Sequence, residues 1–357
     1  LRHNFHKTEI NSQENISSKL RVPKQLLIIF TTIHILLGIN FGFVKIVPKK
    51  WRVFAKFISY FCGFILSMMM FFQNILYSIY QILQWWCTVE FNTYLMIALF
   101  SKYTFYDYML HYSDIDASLM LDANSLRGPM LLALFLPLCS CVVKVTFSSV
   151  YCYFTVTFDQ PYHEQCTLPV YELIKCAIIV TSMDALIGIQ FIILYICYKR
   201  VKMLKSKLRN NELNINCAVK IYKSIFDGLD KIKPFIDKMI LSGLLFGIPK
   251  HMYIIYLGLH QLKANVSNVF LRSNLNNIYA ILLHITFLTT LPAIVAELVN
   301  TEKRKINAQN ALRYVSGRPS QYYVWRRIPV DLRLIGCVSS VVTTYIIVIV
   351  QFTHLYD

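Results

Sequence analysis

The sequence is poor in charged residues, and acidic residues are the scarcer kind. Asp, Glu, Lys and Arg make up only 15% of the 357 residues, against about 25% in an average soluble domain. Apolar residues make up 56%, against about 45–50%. A chain with so few solvating groups matches neither a soluble fold nor a disordered chain nor a secreted disulfide scaffold. We therefore expect a membrane protein.

Enzyme motifs are missing as well. The sequence has no His-Glu-x-x-His, Gly-x-Ser-x-Gly, phosphate-binding loop or Gly-x-Gly-Asp segment. The cysteines are scattered, and Cys139 and Cys141 would point to different faces of a helix, so they make no metal site. Cys152 and Cys166 bracket a loop and are candidates for a disulfide. We expect no enzymatic activity, no cofactor and no bound metal.

Long apolar runs are what the sequence has in abundance. A helix that crosses a bilayer needs about 20 mostly apolar residues. The candidate runs are Leu26–Val44, Phe54–Tyr77, Leu83–Phe105, Pro129–Phe154, Val170–Tyr198, Ile236–Leu259, Ile278–Val299 and Leu332–Phe352. The first run starts late and lacks the cleavage site of a signal peptide.

The excess of basic residues indicates the two sides of the membrane. The chain has 36 Lys and Arg but only 19 Asp and Glu, a net charge of +17. Four segments hold 31 of the 36: the N-terminus up to Lys56, Lys199–Lys238, Lys303–Arg333, and the loop between Lys102 and Arg127. Because cytoplasmic loops retain Lys and Arg, we predict that these segments are cytosolic. The glycosylation sequon at Asn265 lies in a loop with few basic residues, which favours the outside for that loop.

These assignments alternate only if Leu26–Val44 does not cross the membrane. Both of its flanks are basic and its middle is partly polar, so we predict an interfacial or re-entrant segment. Seven spans remain, with a cytosolic N-terminus and an extracellular C-terminus. A G-protein-coupled receptor would have its C-terminus in the cytosol and Asp-Arg-Tyr and Asn-Pro-x-x-Tyr motifs, which this sequence lacks. A transporter with inverted repeats would show paired Gly/Pro-broken helices, whereas here only Gly247-Ile248-Pro249 breaks a helix.

The last apolar run ends in a specific pattern. It reads Thr344-Tyr345-Ile346-Ile347-Val348-Ile349-Val350-Gln351-Phe352, that is Thr-Tyr, five apolar residues and Gln-Phe. The segment resembles the pattern that closes insect gustatory receptors, a family related to insect odorant receptors. Ile115-Asp116, Ala296-Glu297-Leu298, Glu302-Lys303 and Pro329-Val330-Asp331 resemble shorter stretches of the same family. The resemblance is specific over about the last sixty residues and architectural elsewhere.

The resemblance implies an all-α integral membrane protein that forms a tetrameric, ligand-gated cation channel, with the last helix lining the pore. It also implies that Phe352 is a hydrophobic gate and that Gln351 lines the open path. Helical spacing independently places Thr344, Val348 and Gln351 on one face, with Ile347 beside it. Such a face suits a pore that closes by dewetting. The alternative is that Gln351 hydrogen-bonds to a neighbouring helix.

Ionisable residues inside the spans mark candidate functional sites, because burying them in lipid is costly. Those near the middle fit interhelical pairing of Asp184 with Lys144 or Lys250. Those in the outer halves are better placed for a small molecule that arrives from outside. With nearby aromatic residues they form the predicted ligand pocket: Trp86, Glu90, Tyr171, Lys175, Tyr253, Tyr256, Tyr279 and His284. The alternative for the aromatic residues is the interfacial belt of Trp and Tyr.

The ligand class rests on departures from the sugar receptors of the family. Those receptors usually carry Glu directly after Thr-Tyr, where this chain has Ile346. Fructose-type relatives often have an acidic residue after Gln-Phe, where this chain has Thr353. We therefore expect a plant secondary compound, often bitter, with a sugar as the alternative.

We predict six segments along the chain. Residues 1–50 are a cytosolic N-terminus with the interfacial segment, and residues 51–199 are spans 1 to 4, the ligand-binding bundle. Residues 200–235 are a cytosolic helical anchor extension, 236–300 are spans 5 and 6, 301–331 are a cytosolic anchor, and 332–357 are the pore helix with a short extracellular tail. For the basic extension, the alternative to an anchor is a helix attracted to anionic lipid.

The expected partners follow from these predictions. They are a small-molecule tastant, permeating Na, K and Ca cations, membrane lipid, and further subunits in a homotetramer or a heterotetramer with related receptors. No nucleic acid is expected. The expected location is the plasma membrane of a sensory neuron dendrite, as a multi-pass protein.

Overall fold

The protein is built almost entirely of helices. The computed structural model describes residues 24–39, 42–76, 81–101, 104–111, 113–119, 121, 127–135, 139, 142, 146, 170–263, 290–306, 323–324, 328–329 and 332–355. Its helices are α1 (Lys24–Leu36), α2 (Arg52–Leu76), α3 (Gln81–Phe100), α4 (Phe105–His111), α5 (Ser113–Ser118), α6 (Val170–Arg209), α7 (Ile215–Lys263) and α8 (Leu332–Leu355). Residues 127–135 and 290–306 are also helical. Single turns of 3₁₀ helix occupy Phe43–Lys45 and Lys49–Trp51.

The first apolar run forms only a short helix. At 1.5 Å per residue its 13 residues are about 20 Å long, whereas the hydrocarbon core of a bilayer is about 30 Å thick. The chain then turns at Gly38, which has φ +76°, and packs α1 against α2. A Cβ at Gly38 would lie 2.5 Å from the Cα of Gly63, so only glycine fits this close approach. The interfacial or re-entrant placement of this segment stays a prediction.

α2 has the character of a lipid-facing helix. Within the described part of the chain, Lys49–Met69 is the one stretch long and apolar enough to cross a membrane. Large side chains cover its surface, among them Val53, Phe57 and Phe64. Trp51, at its start, is half exposed, as expected of an interfacial anchor. Shorter apolar helical stretches are Gln25–Leu36, Thr88–Phe100 and Arg333–Val348.

The seven-span topology stays a prediction. The predicted spans Pro129–Phe154 and Ile278–Val299 lie largely outside the described residues. So do the loop with Cys152 and Cys166 and the sequon at Asn265.

α6 and α7 form a long antiparallel hairpin. With 40 and 49 residues they are about 60 and 74 Å long, roughly twice the thickness of the hydrocarbon core. α6 ends where Asn211 adopts φ +56° and the Glu212 amide donates to the Lys207 carbonyl over 3.0 Å, a helix-ending geometry that Asn tolerates. The core of the fold lies where the two helices meet, for example at Ile193, Leu204 and Tyr222. We call residues 199–238 the extension hairpin.

α7 is the central helix of the fold. It packs against α3, α6 and α8, while α2 packs against α3. It contains Pro234 and Pro249, and each lacks the N–H that would donate to the carbonyl four residues earlier.

Two details differ from the sequence-based predictions. The run Leu83–Phe105 was expected to be one span, but α3 ends at Phe100 and α4 starts a new helix at Phe105. The cause is local: Thr104 and Asp107 bond to each other's backbone amides over 3.2 and 3.3 Å, a capping box that begins a helix. The second detail is a two-stranded antiparallel ribbon, β1 (Tyr323–Val324) with β2 (Ile328–Pro329), directly before α8.

Candidate ligand site and pore helix

One face of α3 meets α7 along a row of polar and aromatic side chains. Trp86, Glu90 and Tyr94 are spaced four residues apart, so they lie on one face of the helix. Opposite them on α7 are Gly243, Phe246 and Lys250, spaced three and four residues apart. We call these six residues the α3–α7 row.

Trp86 is held by α7 close to Pro249. Its indole Nε1 donates to the Phe246 carbonyl over 3.0 Å, and its ring meets the Phe246 ring edge-on at 5.9 Å. A carbonyl oxygen has two lone pairs and can take a second donor besides a backbone amide of its own helix. The hydrogen bond therefore positions an aromatic side chain that the sequence analysis assigned to the pocket.

Glu90 forms an ion pair with Lys250. The ammonium of Lys250 donates to Glu90 Oε2, and both side chains are largely buried, 7% and 13% exposed. The sequence analysis paired Lys250 with Asp184 or left it in the bundle interior, and it assigned Glu90 to the ligand. The structure joins Glu90 and Lys250 across α3 and α7, a pair that the sequence did not indicate because depth along a helix does not show which neighbour a side chain faces.

The remaining pocket candidates divide into two groups. Tyr253 is partly buried and Tyr256 is exposed, both on α7 beyond Lys250. Tyr279 and His284 lie outside the described residues. Tyr171 and Lys175 belong to α6, but their side chains are outside the description. The structure therefore brings Trp86 and Glu90 together with Lys250 and leaves the rest of the predicted pocket untested.

The sequence analysis missed Tyr94 and Phe246. Tyr94 is buried, and its hydroxyl lies 3.5 Å from where a Cβ on Gly243 would be. The four-residue spacing from Trp86 through Glu90 would have indicated Tyr94. No sequence signal indicates the Phe246 carbonyl, because that contact depends on how α3 packs against α7.

α8 is the least enclosed of the long helices. It packs against α7, yet none of its described side chains is buried. Tyr345 and Ile347 are 51% and 52% exposed, and Val348 is 36% exposed. Thr344 Oγ1 donates to the Ser340 carbonyl over 2.9 Å within the helix, and Gln351 is exposed; the side chain of Phe352 is outside the description. A helix this apolar and this open needs lipid or another subunit around it.

A buried ion pair ties the loop helices to the extension hairpin. Asp116, in the short helix α5, accepts two hydrogen bonds from Arg200, 2.7 and 2.8 Å long. Arg200 is 1% exposed, and its guanidinium lies 5.5 Å from the centre of the Tyr108 ring. The stretch Ile115-Asp116, which resembles the first cytosolic loop of the family, therefore has a clear structural role.

The end of segment 290–306 is fastened to the same hairpin. Glu302 accepts from Lys205 over 2.9 Å and from Lys305 over 3.1 Å. Burial disfavours its charged form, but the hydrogen bonds from these two lysines outweigh burial and hold the pKa of Glu302 below its ordinary value. Lys303 lies over the ring of Phe226 at 4.8 Å. Glu302-Lys303, which the resemblance placed at the cytosolic end of the sixth span, joins that span to α6 and α7.

These elements together have the fold of an insect olfactory receptor. The chain is similar to the structure of the insect olfactory receptor OR5 from Machilis hrabei, with a TM-score of 0.51, 13% identity, and coverage of 85% of this chain and 90% of that chain. No protein-family model and no curated protein matches the sequence. The comparison therefore shows a similar fold, and the resemblance to gustatory receptors remains a prediction.

Proposed function

We propose that this chain is a chemoreceptor of the insect odorant and gustatory receptor superfamily that acts as a ligand-gated, non-selective cation channel. One agreement carries the proposal. The chain has an olfactory-receptor fold over 85% of its length, and the closing pattern of its last helix independently resembles that of gustatory receptors. The two observations use different information, namely backbone geometry and side-chain identity.

The proposed channel has seven spans, an extracellular C-terminus and four subunits around α8. The exposure of Tyr345, Ile347 and Val348 supports this arrangement, because a fourfold pore would cover one face of α8 with its copies. Thr344, Val348 and Gln351 line the path, and Phe352 is its hydrophobic gate. A ring of four apolar side chains, one from each subunit, closes a pore by excluding water.

The proposed ligand is a neutral or amphipathic tastant, a plant secondary compound rather than a sugar, that binds beside the α3–α7 row. Trp86 offers an aromatic surface, and Glu90 with Lys250 offers donors and acceptors already paired. A pocket that is mainly aromatic with a few polar groups suits such a molecule better than a polyol. Tyr253 and Tyr256 extend the same side of α7, and Tyr171, Lys175, Tyr279 and His284 complete the proposed pocket.

The test is a tastant panel on excised membrane patches from cells that express the full chain, without added nucleotide. We expect current evoked by at least one plant secondary compound. A response that requires GTP or disappears on excision would contradict the channel and support a metabotropic receptor. A response to sugars alone would contradict the proposed ligand class.

Two variants of α3 separate the pocket from general damage. Trp86→Ala removes a side chain of the α3–α7 row and is expected to raise the half-maximal tastant concentration at least tenfold. Met96→Ala alters an exposed residue of the same helix, 55% exposed, and is expected to leave that concentration unchanged. Equal effects of the two variants would contradict the proposed pocket.

A further inference from the structure

A cavity lies behind the pore helix. Its volume is about 280 Å³, it is lined by α7, the segment 290–306 and the first half of α8, and it is partly open to the surface. Because α8 begins at the predicted cytosolic side, the cavity lies in the cytosolic half of the proposed membrane region. Its lining includes neither Trp86 nor Glu90, so it is distinct from the candidate tastant pocket, although the two adjoin at Gly243.

Two glycines of α7 create this space. Gly243 and Gly247 are one turn apart and both line the cavity. A Cβ on Gly247 would meet no atom within 4 Å, and one on Gly243 would meet only the Tyr94 hydroxyl, at 3.5 Å. In membranes this glycine spacing normally lets another helix approach closely. Here α8 leaves the surface beside Gly247 uncovered.

The lining indicates the chemistry of an occupant. None of the described residues that line the cavity is charged, and its polar side chains are the hydroxyls of Thr290, Ser339 and Thr343. A charged ligand would have no counter-ion there, whereas an alcohol, phenol or ketone would find hydrogen-bonding partners. An apolar protein cavity of about 150 Å³ holds benzene, with its six carbons, so in proportion this cavity holds roughly 11 non-hydrogen atoms.

We infer that this cavity is a second ligand site, which binds a neutral alcohol or phenol of about 10 to 12 non-hydrogen atoms. Its ring or chain fills the space beside Gly247, and its hydroxyl bonds to Ser339 or Thr343. A molecule of this kind partitions into lipid and reaches the site through the membrane.

The position of the site indicates an effect on gating. A smaller cavity of about 60 Å³ shares Gly243 and Leu244 with it and is also lined by Tyr94, one turn from Glu90. An occupant therefore contacts α8 on one side and lies near the α3–α7 row on the other. We expect that a molecule bound in the cavity changes the tastant concentration that opens the pore. This step alone rests on the proposed channel function.

Binding is tested directly, without current. The full chain in lipid nanodiscs is titrated with tritiated thymol, a phenol of 11 non-hydrogen atoms. Gly247→Leu fills the cavity and is expected to weaken binding at least tenfold. Gly336→Leu is the matched control, since a Cβ there also meets no atom within 4 Å but Gly336 does not line the cavity; its binding is expected to equal wild type.

A second set of measurements covers misfolding and the hydroxyl contact. If Gly247→Leu elutes as an aggregate, Val342→Phe fills the cavity from the α8 side and is expected to give the same loss. The double variant Ser339→Ala with Thr343→Val is expected to weaken thymol binding by about 3- to 10-fold, as for the loss of a hydrogen bond. The affinity of p-cymene, which has no hydroxyl and is measured by its competition with thymol, is expected to stay unchanged.

The inference is overturned if Gly247→Leu and Val342→Phe both bind thymol as tightly as wild type does. It is also overturned if Gly336→Leu loses as much affinity for thymol as these two variants do. It is also overturned if Trp86→Ala abolishes thymol binding while Gly247→Leu retains it, because thymol then occupies the tastant pocket. Failure of the channel to conduct would not affect these results, since the measurement is of binding.

Discussion

Arg200 and Asp116 illustrate how much depends on single buried charges in this protein. Both side chains are more than nine-tenths buried. Each neutralises the charge of the other in a place where water does not solvate it. Removing one partner of such a pair costs about 3–5 kcal/mol, whereas replacing both with apolar residues is often neutral. The pair therefore holds the loop helix α5 in place without adding much net stability.

We predict that Asp116→Leu lowers the free energy of unfolding by about 3–5 kcal/mol and that Asp116→Leu with Arg200→Met recovers most of the loss. The measurement is the thermal unfolding of purified protein, with surface expression as a second readout. Lys220→Met, an exposed residue of α7, is the control and should change stability by less than about 0.5 kcal/mol. A double variant as unstable as the single one would show that the pair itself is favourable.

Asp107 connects two short elements at the same end of the fold. It accepts from Lys45 over 2.5 Å and from the Thr104 hydroxyl over 2.6 Å. Burial disfavours its charged form, but these hydrogen bonds outweigh burial and lower the pKa of Asp107. Because the folded-state pKa lies below the unfolded value of about 3.9, the carboxylate stabilises the fold above that pH and loses its effect as the pH falls through the folded pKa.

We predict that wild type and Asp107→Asn differ in unfolding temperature at pH 7 and at pH 5, with wild type the more stable. The difference should shrink below about pH 4, where the wild-type carboxyl becomes protonated. Thermal unfolding of both proteins in nanodiscs across pH 3–7 measures this. Glu212→Gln, at a half-exposed carboxylate, should show a smaller difference throughout. A gap that is constant with pH would contradict the assignment.

At the scale of elements, α8 is an apolar helix that the rest of the chain leaves open. Its described side chains are all at least partly exposed, although helices of this composition are normally buried in a core or in lipid. The closing pattern resembles that of a pore helix. The alternative for Gln351, a hydrogen bond to a neighbouring helix, gains no support from its exposure in the single chain.

We predict that Phe352→Ala produces current in the absence of any tastant, because a ring of smaller side chains no longer excludes water from the gate. The recording is made on cells with a confirmed surface level of the variant. Val53→Ala, at the most exposed side chain of α2, should leave the channel closed without ligand. Surface-expressed Phe352→Ala protein without basal current would argue against Phe352 as the gate.

At the scale of the whole molecule, the surfaces of α2 and α8 have different expected neighbours. Val53 of α2 is 79% exposed and faces lipid in the proposed arrangement. Val348 of α8 is 36% exposed and faces its own copies around the pore. A tetramer therefore brings equivalent α8 residues close together and keeps equivalent α2 residues apart.

We predict that Val348→Cys forms a disulfide between subunits when membranes are treated with an oxidant, and that Val53→Cys does not. Both carry the same substitution in the same cysteine background, so non-reducing electrophoresis compares them directly. A dimer band for Val348→Cys alone is the expected result. Crosslinking of Val53→Cys alone would place α2 instead of α8 at the subunit contact.

The sequence predicted the character of the elements well. Apolar runs and basic clusters indicated a helical protein with long basic helices over Lys199–Lys238, and α6 and α7 form those helices. These features could be predicted because hydropathy and charge act along the chain. The break at Thr104 was missed because two polar side chains cap a helix within an otherwise apolar stretch.

What the sequence alone determined was therefore the kind of protein and, through Thr344-Tyr345 and Gln351-Phe352, the superfamily it resembles. Only the tertiary structure decided which partners meet: Glu90 with Lys250, Asp116 with Arg200, and Gly247 with an open space behind α8. The physical reason is that hydropathy depends on composition, whereas an ion pair or a cavity depends on the rotation and bend of packed helices. The hydrogen bond from Trp86 to the Phe246 carbonyl, for example, joins residues 160 positions apart along the chain.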